Sequence, residues 1–92
     1  MNGFVYILYF KKTNRFYVGS TNYLARRLQQ HANNHTYSTT RLGEFELAFF
    51  QEVENLKFAR QVEHRIKSWK RRDYIERIVK DGKITFLHNM HP

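Results

Sequence analysis

The chain has 92 residues, 41% hydrophobic and 16% aromatic, no cysteine and a formal net charge of +8. It is long enough for one domain, 1–92, burying about 60–65% of its unfolded surface, and too apolar for disorder. Disulfides and cysteine-ligated zinc are excluded, and the cationic surplus points to a phosphate-bearing partner.

The charge is unevenly placed. No Asp or Glu precedes Glu44, while Lys11, Lys12, Arg15, Arg26, Arg27 and Arg41 all fall in that stretch. The apolar run Phe4 to Phe10 is seven residues long, against about 20 for a membrane helix. A basic leader with a small-residue cleavage site is also missing. The expectation is a soluble, cytoplasmic protein without a membrane partner, and the lack of cysteine fits a reducing compartment.

In chain order, Phe4 to Phe10 is rich in β-branched and aromatic residues and predicts a strand. Tyr6 and Leu8 fall on one face, Val5 and Ile7 on the other. Lys11 to Arg15 contains the turn former Asn14. Phe16 to Gly19 then predicts the second arm of a hairpin. Ser20, Thr21 or Asn22 can cap the helix that follows.

Leu24 and Leu28 give that helix its apolar stripe. Arg27 and His31, also four apart, lie on a stripe about 60° away, beside the buried face. Asn33 and Asn34 suggest its end, and 35–44 reads as a polar loop. Glu46 to Val53 predicts a third strand with Leu47, Phe49 and Val53 on one side.

Asn55 can cap a second helix, whose Phe58, Val62, Ile66 and Trp69 recur at helical spacing. Glu63 sits at the edge of that stripe. A third helix is predicted over Arg72 to Lys80, with Tyr74, Ile75, Ile78 and Val79 inward and Gly82 as its stop. Lys83 to Leu87 is compatible with a short fourth strand or an ordered tail. The core spans about 4–80 and the tail 81–92.

The hairpin and first helix place two phenols (Tyr6, Tyr17), a guanidinium (Arg27) and an imidazole (His31) in one compact unit. Phosphodiester cleavage needs a proton acceptor for water and positive charge for the phosphoryl oxygens. A divalent cation can supply charge and requires oxygen ligands, for which one carboxylate can serve as anchor. Since no carboxylate precedes Glu44, a metal ligand must come from there onward, and Glu63 is the best-placed candidate. Glu52, Glu54, Glu76 and Asp81 read as surface charges. Tyrosine is an unusual base, with a reference pKa of about 10, and needs nearby cations to favour its phenolate. A rival site is His31 with His35, four apart, supplemented by His88 and His91.

Val5-Tyr6, then Tyr17-Val18-Gly19, then Arg27 and His31, then Glu63 on a later helix, resembles the GIY-YIG nuclease family, most closely its short stand-alone bacterial members. The likeness runs from about Phe4 to Val79. The resemblance implies a small α/β fold of α+β type: a three-stranded antiparallel sheet flanked by about three helices. It also implies divalent-metal-dependent endonuclease activity, with Mg²⁺ or Mn²⁺, on DNA, in repair or recombination. Carried over by position, Tyr17 would activate water and Tyr6 would orient or substitute for it. Arg27 would bind the scissile phosphate, His31 would assist by hydrogen bonding, and Glu63 would hold the metal. Gly19 would allow a tight strand-to-helix passage.

This sequence departs from the family pattern at Phe4, where the first motif has glycine, and at Ser20, where some members have lysine. Lys67, Lys70, Arg71 and Arg72, with Arg26 and Arg41, are expected to hold the nucleic-acid backbone, making binding strongly salt-dependent. RNA is an alternative ligand. The competing functions are a non-catalytic nucleic-acid-binding module of the same fold and a basic ribosome-associated or protein-binding module.

Overall fold

A computed structural model describes residues 2–33 and 44–87. Arg41, His35, His88 and His91 lie outside the described residues, as does nearly all of the expected 35–44 loop. The elements are β1 (Gly3–Phe10), β2 (Arg15–Thr21), α1 (Leu24–Ala32), β3 (Glu46–Val53), α2 (Leu56–Ser68) and α3 (Arg72–Asp81). The three strands form one antiparallel sheet in the order β2-β1-β3, the architecture expected from the sequence.

The unbroken apolar run of β1 reflects its central position. Val5, Tyr6, Ile7 and Leu8 have no solvent-exposed surface, because both faces of the strand are covered. Val5 and Ile7 face the main core, packed with Val18, Phe49, Phe58, Val62, Ile66 and Ile78 from the neighbouring strands, α2 and α3. Tyr6, Leu8 and Phe10 face the other way, against Tyr17, Phe45 and the α1 residues Leu24 and Leu28. The sheet thus separates an aliphatic core from a smaller, aromatic one.

Local chemistry sets the element ends. Asn14 turns the hairpin with φ 54°, a conformation asparagine tolerates better than most residues. The Asn55 side chain accepts from the Phe58 N–H at 2.8 Å and caps α2. Gly82, at φ 69°, ends α3, its N–H donating to the Ile78 carbonyl at 2.9 Å. Lys83 to Leu87 forms no strand. It turns back so that Ile84 is buried and Phe86 and Leu87 pack on the core.

Three expectations are corrected. β2 extends through Ser20 and Thr21, so neither caps α1. Tyr23 occupies the cap position without a side-chain bond, and Thr21 Oγ1 instead accepts from the Tyr23 N–H at 3.1 Å. Leu47 does not share the buried side of Phe49 and Val53. The register shifts between Ile7↔Phe49 and Leu8↔Leu47, so Ala48 is an extra residue and Leu47 is 37% exposed. Such a bulge breaks the alternation of the strand. Gly19 lies inside β2, opposite Tyr6, rather than in a strand-to-helix passage.

Candidate active site

The site grows from the β1–β2 pairing. Tyr6 stands opposite Gly19 and Leu8 opposite Tyr17, so alternation puts both phenols on the same face of the sheet. A Cβ at Gly19 would lie 2.5 Å from Tyr6 Cζ and 2.5 Å from its hydroxyl. Glycine is required there because the tyrosine ring lies across the neighbouring backbone.

α1 lays His31 over the two rings. His31 is 1% exposed, the only fully buried residue of this helix, while Leu24 and Leu28 are half-buried. The helix therefore turns its imidazole, rather than its leucine stripe, furthest into the sheet. Tyr6, Tyr17 and Phe45 surround it, their ring centroids 5.8, 5.2 and 6.1 Å away. A buried imidazole needs a polar partner, and the Tyr6 hydroxyl is 2.9 Å from Nε2.

The electrostatics keep both partners uncharged. Burial, reinforced by Tyr17 and Glu63, pushes the Tyr6 phenol up to about 12, although Arg27 opposes the rise by charge and hydrogen bonding. Burial, followed by the Arg27 charge, holds His31 below its usual 6.5. At neutral pH Tyr6 is therefore an un-ionised phenol and His31 a neutral ring, joined by one hydrogen bond between the hydroxyl and Nε2. Arg27 and Glu63 act on Tyr6 from the two flanking helices. Tyr17, Arg27, His31 and Glu63 thus all lie within electrostatic or hydrogen-bonding reach of the Tyr6 phenol.

Glu63 is held from two sides. Ser20 Oγ donates to Oε1, and Lys67 Nζ lies 2.5 Å from Oε2. The same ammonium is 5.7 Å from the Tyr17 ring centroid. Glu63 offers oxygen ligands of the kind Mg²⁺ and Mn²⁺ take. No cluster of three or more His, Cys, Asp or Glu side chains occurs among the described residues. The donor set fits a hydrated divalent ion anchored through one carboxylate once Lys67 gives way. The rival histidine site would need His35, outside the described residues.

Tyr17 opens onto solvent, unlike Tyr6. It lines a groove of about 380 Å³ along the free edge of β2, with Arg15, Lys67, Lys70, Arg71 and Arg72 on its walls. Arg15 was not among the expected groove cations, although its place two residues before Tyr17 on the same strand is the signal that finds it.

The expected backbone-binding cations divide by their contacts. Lys70 lines the groove at the α2–α3 junction with φ 51°. Arg71 forms a two-point pair with Asp73, at 3.1 and 2.6 Å, and stacks over Tyr74. Arg72 donates to the Asn14 carbonyl and side chain, at 2.5 and 2.8 Å, and lies over Phe16. It clamps the hairpin turn to α3. Arg26 is stacked on Tyr23 and does not line the groove.

The model of the GIY-YIG catalytic domain matches residues 2–76. Comparison with curated proteins and with solved structures gave no significant match. The matched span includes the whole sheet, both phenols, Arg27, His31 and Glu63, and on that match the chain belongs to the GIY-YIG nuclease superfamily.

Proposed function

We propose that this chain is an endonuclease that hydrolyses DNA phosphodiester bonds with the help of Mg²⁺ or Mn²⁺ anchored by Glu63. The observation that carries the reading is the difference between the two tyrosines. Tyr6 is sealed and hydrogen-bonded to His31, whereas Tyr17 lines the cationic groove.

In this reading a water beside Tyr17 gives its proton to the phenolate oxygen. The resulting hydroxide attacks phosphorus, and the bond to the leaving oxygen breaks. Arg27 holds the scissile phosphate and balances the charge that grows on its oxygens. Lys67, near the Tyr17 ring, gives positive charge to a phenolate there. Tyr6 and His31 form a neutral pair that fixes the inner wall. A bound divalent cation supplies further positive charge to the phosphoryl and leaving oxygens.

A second reading has its own support. Both Glu63 oxygens are occupied, by Ser20 and Lys67, as expected of a structural glutamate in a nucleic-acid-binding module without catalysis. Nicking of supercoiled plasmid with Mg²⁺, Mn²⁺ or chelator, by wild type, Glu63→Ala and Glu63→Gln, separates the two. The enzyme nicks only with metal, loses nicking in both variants and keeps DNA binding in Glu63→Gln. The binding module never nicks. The same reading takes the chain as a cytoplasmic enzyme of DNA repair or recombination. Among the described residues no helix is long and apolar enough to cross a membrane.

A further inference from the structure

A second recess lies beyond the groove. It is a cleft of about 190 Å³ walled by Trp69, Tyr74 and Phe86, with Arg77, Asp81 and Lys83 at its rim. Drug-sized ligands occupy about 300–1,000 Å³, whereas a cavity of about 150 Å³ accepts a single benzene ring. The volume therefore suits one planar ring system.

The walls are built for such a guest. The Trp69 and Tyr74 centroids are 4.7 Å apart, and the Phe86 ring meets Trp69 edge-on at 5.1 Å. All three rings are half-buried and belong to neither sheet core, although Phe86 borders the aliphatic one. The burial of Ile84 after the Gly82 stop brings Phe86 back against Trp69. Among the described residues neither Arg77 nor Lys83 forms an ion pair, so the rim has cations to offer an anion. Arg71 joins the two recesses: it lines the groove, and its guanidinium lies 4.5 Å from the Tyr74 centroid. Much of the cleft, from Arg77 to Phe86, falls outside the span matched by the family model.

We propose that this cleft receives one unpaired nucleobase, stacked on Trp69, from a strand whose phosphates lie along the Arg15–Lys67–Lys70 groove. The inference rests on the reading of that groove as a nucleic-acid site. Aromatic platforms beside cationic grooves bind single strands because every base has a π-face. A paired base cannot enter so small a recess without leaving its stack. The chain would therefore favour nucleic acid with an unpaired segment beside the cleavage point.

Trp69 is the only tryptophan, so its emission reports on the cleft alone. The full chain, in chelator to prevent cleavage, is titrated with a labelled single strand of about eight nucleotides. An abasic strand of equal length and a blunt duplex serve as comparisons. Probe anisotropy reads binding, and Trp69 emission reads stacking. The expected result is quenching by the base-bearing strand only. Phe86→Leu and Tyr74→Leu, checked for native circular dichroism, should weaken that strand by about tenfold and leave the abasic strand unchanged. Binding without a change in Trp69 emission, or equal quenching by the abasic strand, overturns the base cleft and leaves the groove reading standing. Failure of every probe to bind at low salt overturns both.

Discussion

Gly19 and Tyr6 are locked together: a methyl group on the glycine would lie 2.5 Å from the tyrosine hydroxyl. Tyr6 is fully buried and its hydroxyl is bonded to His31, so its ring cannot shift without disturbing its neighbours. Gly19→Ala should destabilise the fold by about 1–3 kcal/mol, the usual cost of overpacking a well-filled core. It should also disturb the contact between Tyr6 and His31. A urea midpoint equal to that of wild type would show that the ring moves aside without cost.

The two tyrosines should respond to the same substitution in opposite ways. Tyr6→Phe removes the hydroxyl that faces His31 Nε2, and losing one partner of a buried hydrogen bond costs about 1–3 kcal/mol. Tyr17→Phe removes a hydroxyl from a half-buried residue lining the groove and should change stability by less than about 0.5 kcal/mol. Its effect should fall on cleavage, by about 10²- to 10⁴-fold if Tyr17 is the base. Urea unfolding and single-turnover nicking of both variants check the split. A Tyr17→Phe protein that cleaves at the wild-type rate removes the base assignment.

His31 gives the fold an acid limit. Its folded pKa lies below the usual 6.5 because burial and then Arg27 disfavour the charged ring. The neutral ring's contribution is therefore present above pH 6.5 and lost as pH falls, because the unfolded chain takes up the proton first. For one proton the slope is at most about 1.4 kcal/mol per pH unit. Tyr6 works at the other end. Its raised value of about 12, against 10, means that stability is complete below pH 10 and declines as pH rises towards 12. Unfolding of wild type and His31→Gln between pH 7 and 5 tests the acid limb. Wild type should lose more stability across that interval, and parallel curves would refute the prediction.

Much of this architecture is legible in local chemistry. Asn55 and Gly82 mark helix ends by interactions within four residues, and Phe58, Val62 and Ile66 repeat as one buried face. The unbroken apolar run of β1 correctly signals burial on two sides. What escapes the sequence depends on distant partners. Leu47 faces outward because Ala48 is unmatched on β1, which single-strand alternation cannot reveal. The reason for Gly19 is a ring thirteen positions earlier. Arg72 has the composition of a phosphate ligand, yet Asn14, 58 residues away, holds it as a structural clamp. The site residues themselves were visible only as a familiar spacing, since each taken singly is an ordinary packing or surface residue.

Lys67 occupies the place beside Glu63 that a divalent cation would need. Its ammonium lies 2.5 Å from Oε2, with the lysine side chain 50% and the glutamate 20% exposed. In the absence of DNA, a cation anchored by Glu63 must displace this lysine. Lys67→Met should therefore bind Mn²⁺ about two- to fivefold more tightly than wild type, the range set by a partly exposed ion pair. Lys70→Met removes an equal charge from the same groove without touching Glu63 and should give a smaller gain. Glu63→Gln should abolish the binding altogether. Calorimetric titration of Mn²⁺ into the four proteins decides the matter. Equal gains in the two lysine variants would mean that the groove repels cations generally and that Lys67 holds no special place on Glu63. Although it binds metal more tightly, Lys67→Met should nick DNA more slowly, because it lacks the ammonium beside Tyr17. An affinity gain paired with a loss of rate is an outcome that a purely structural ion pair does not produce.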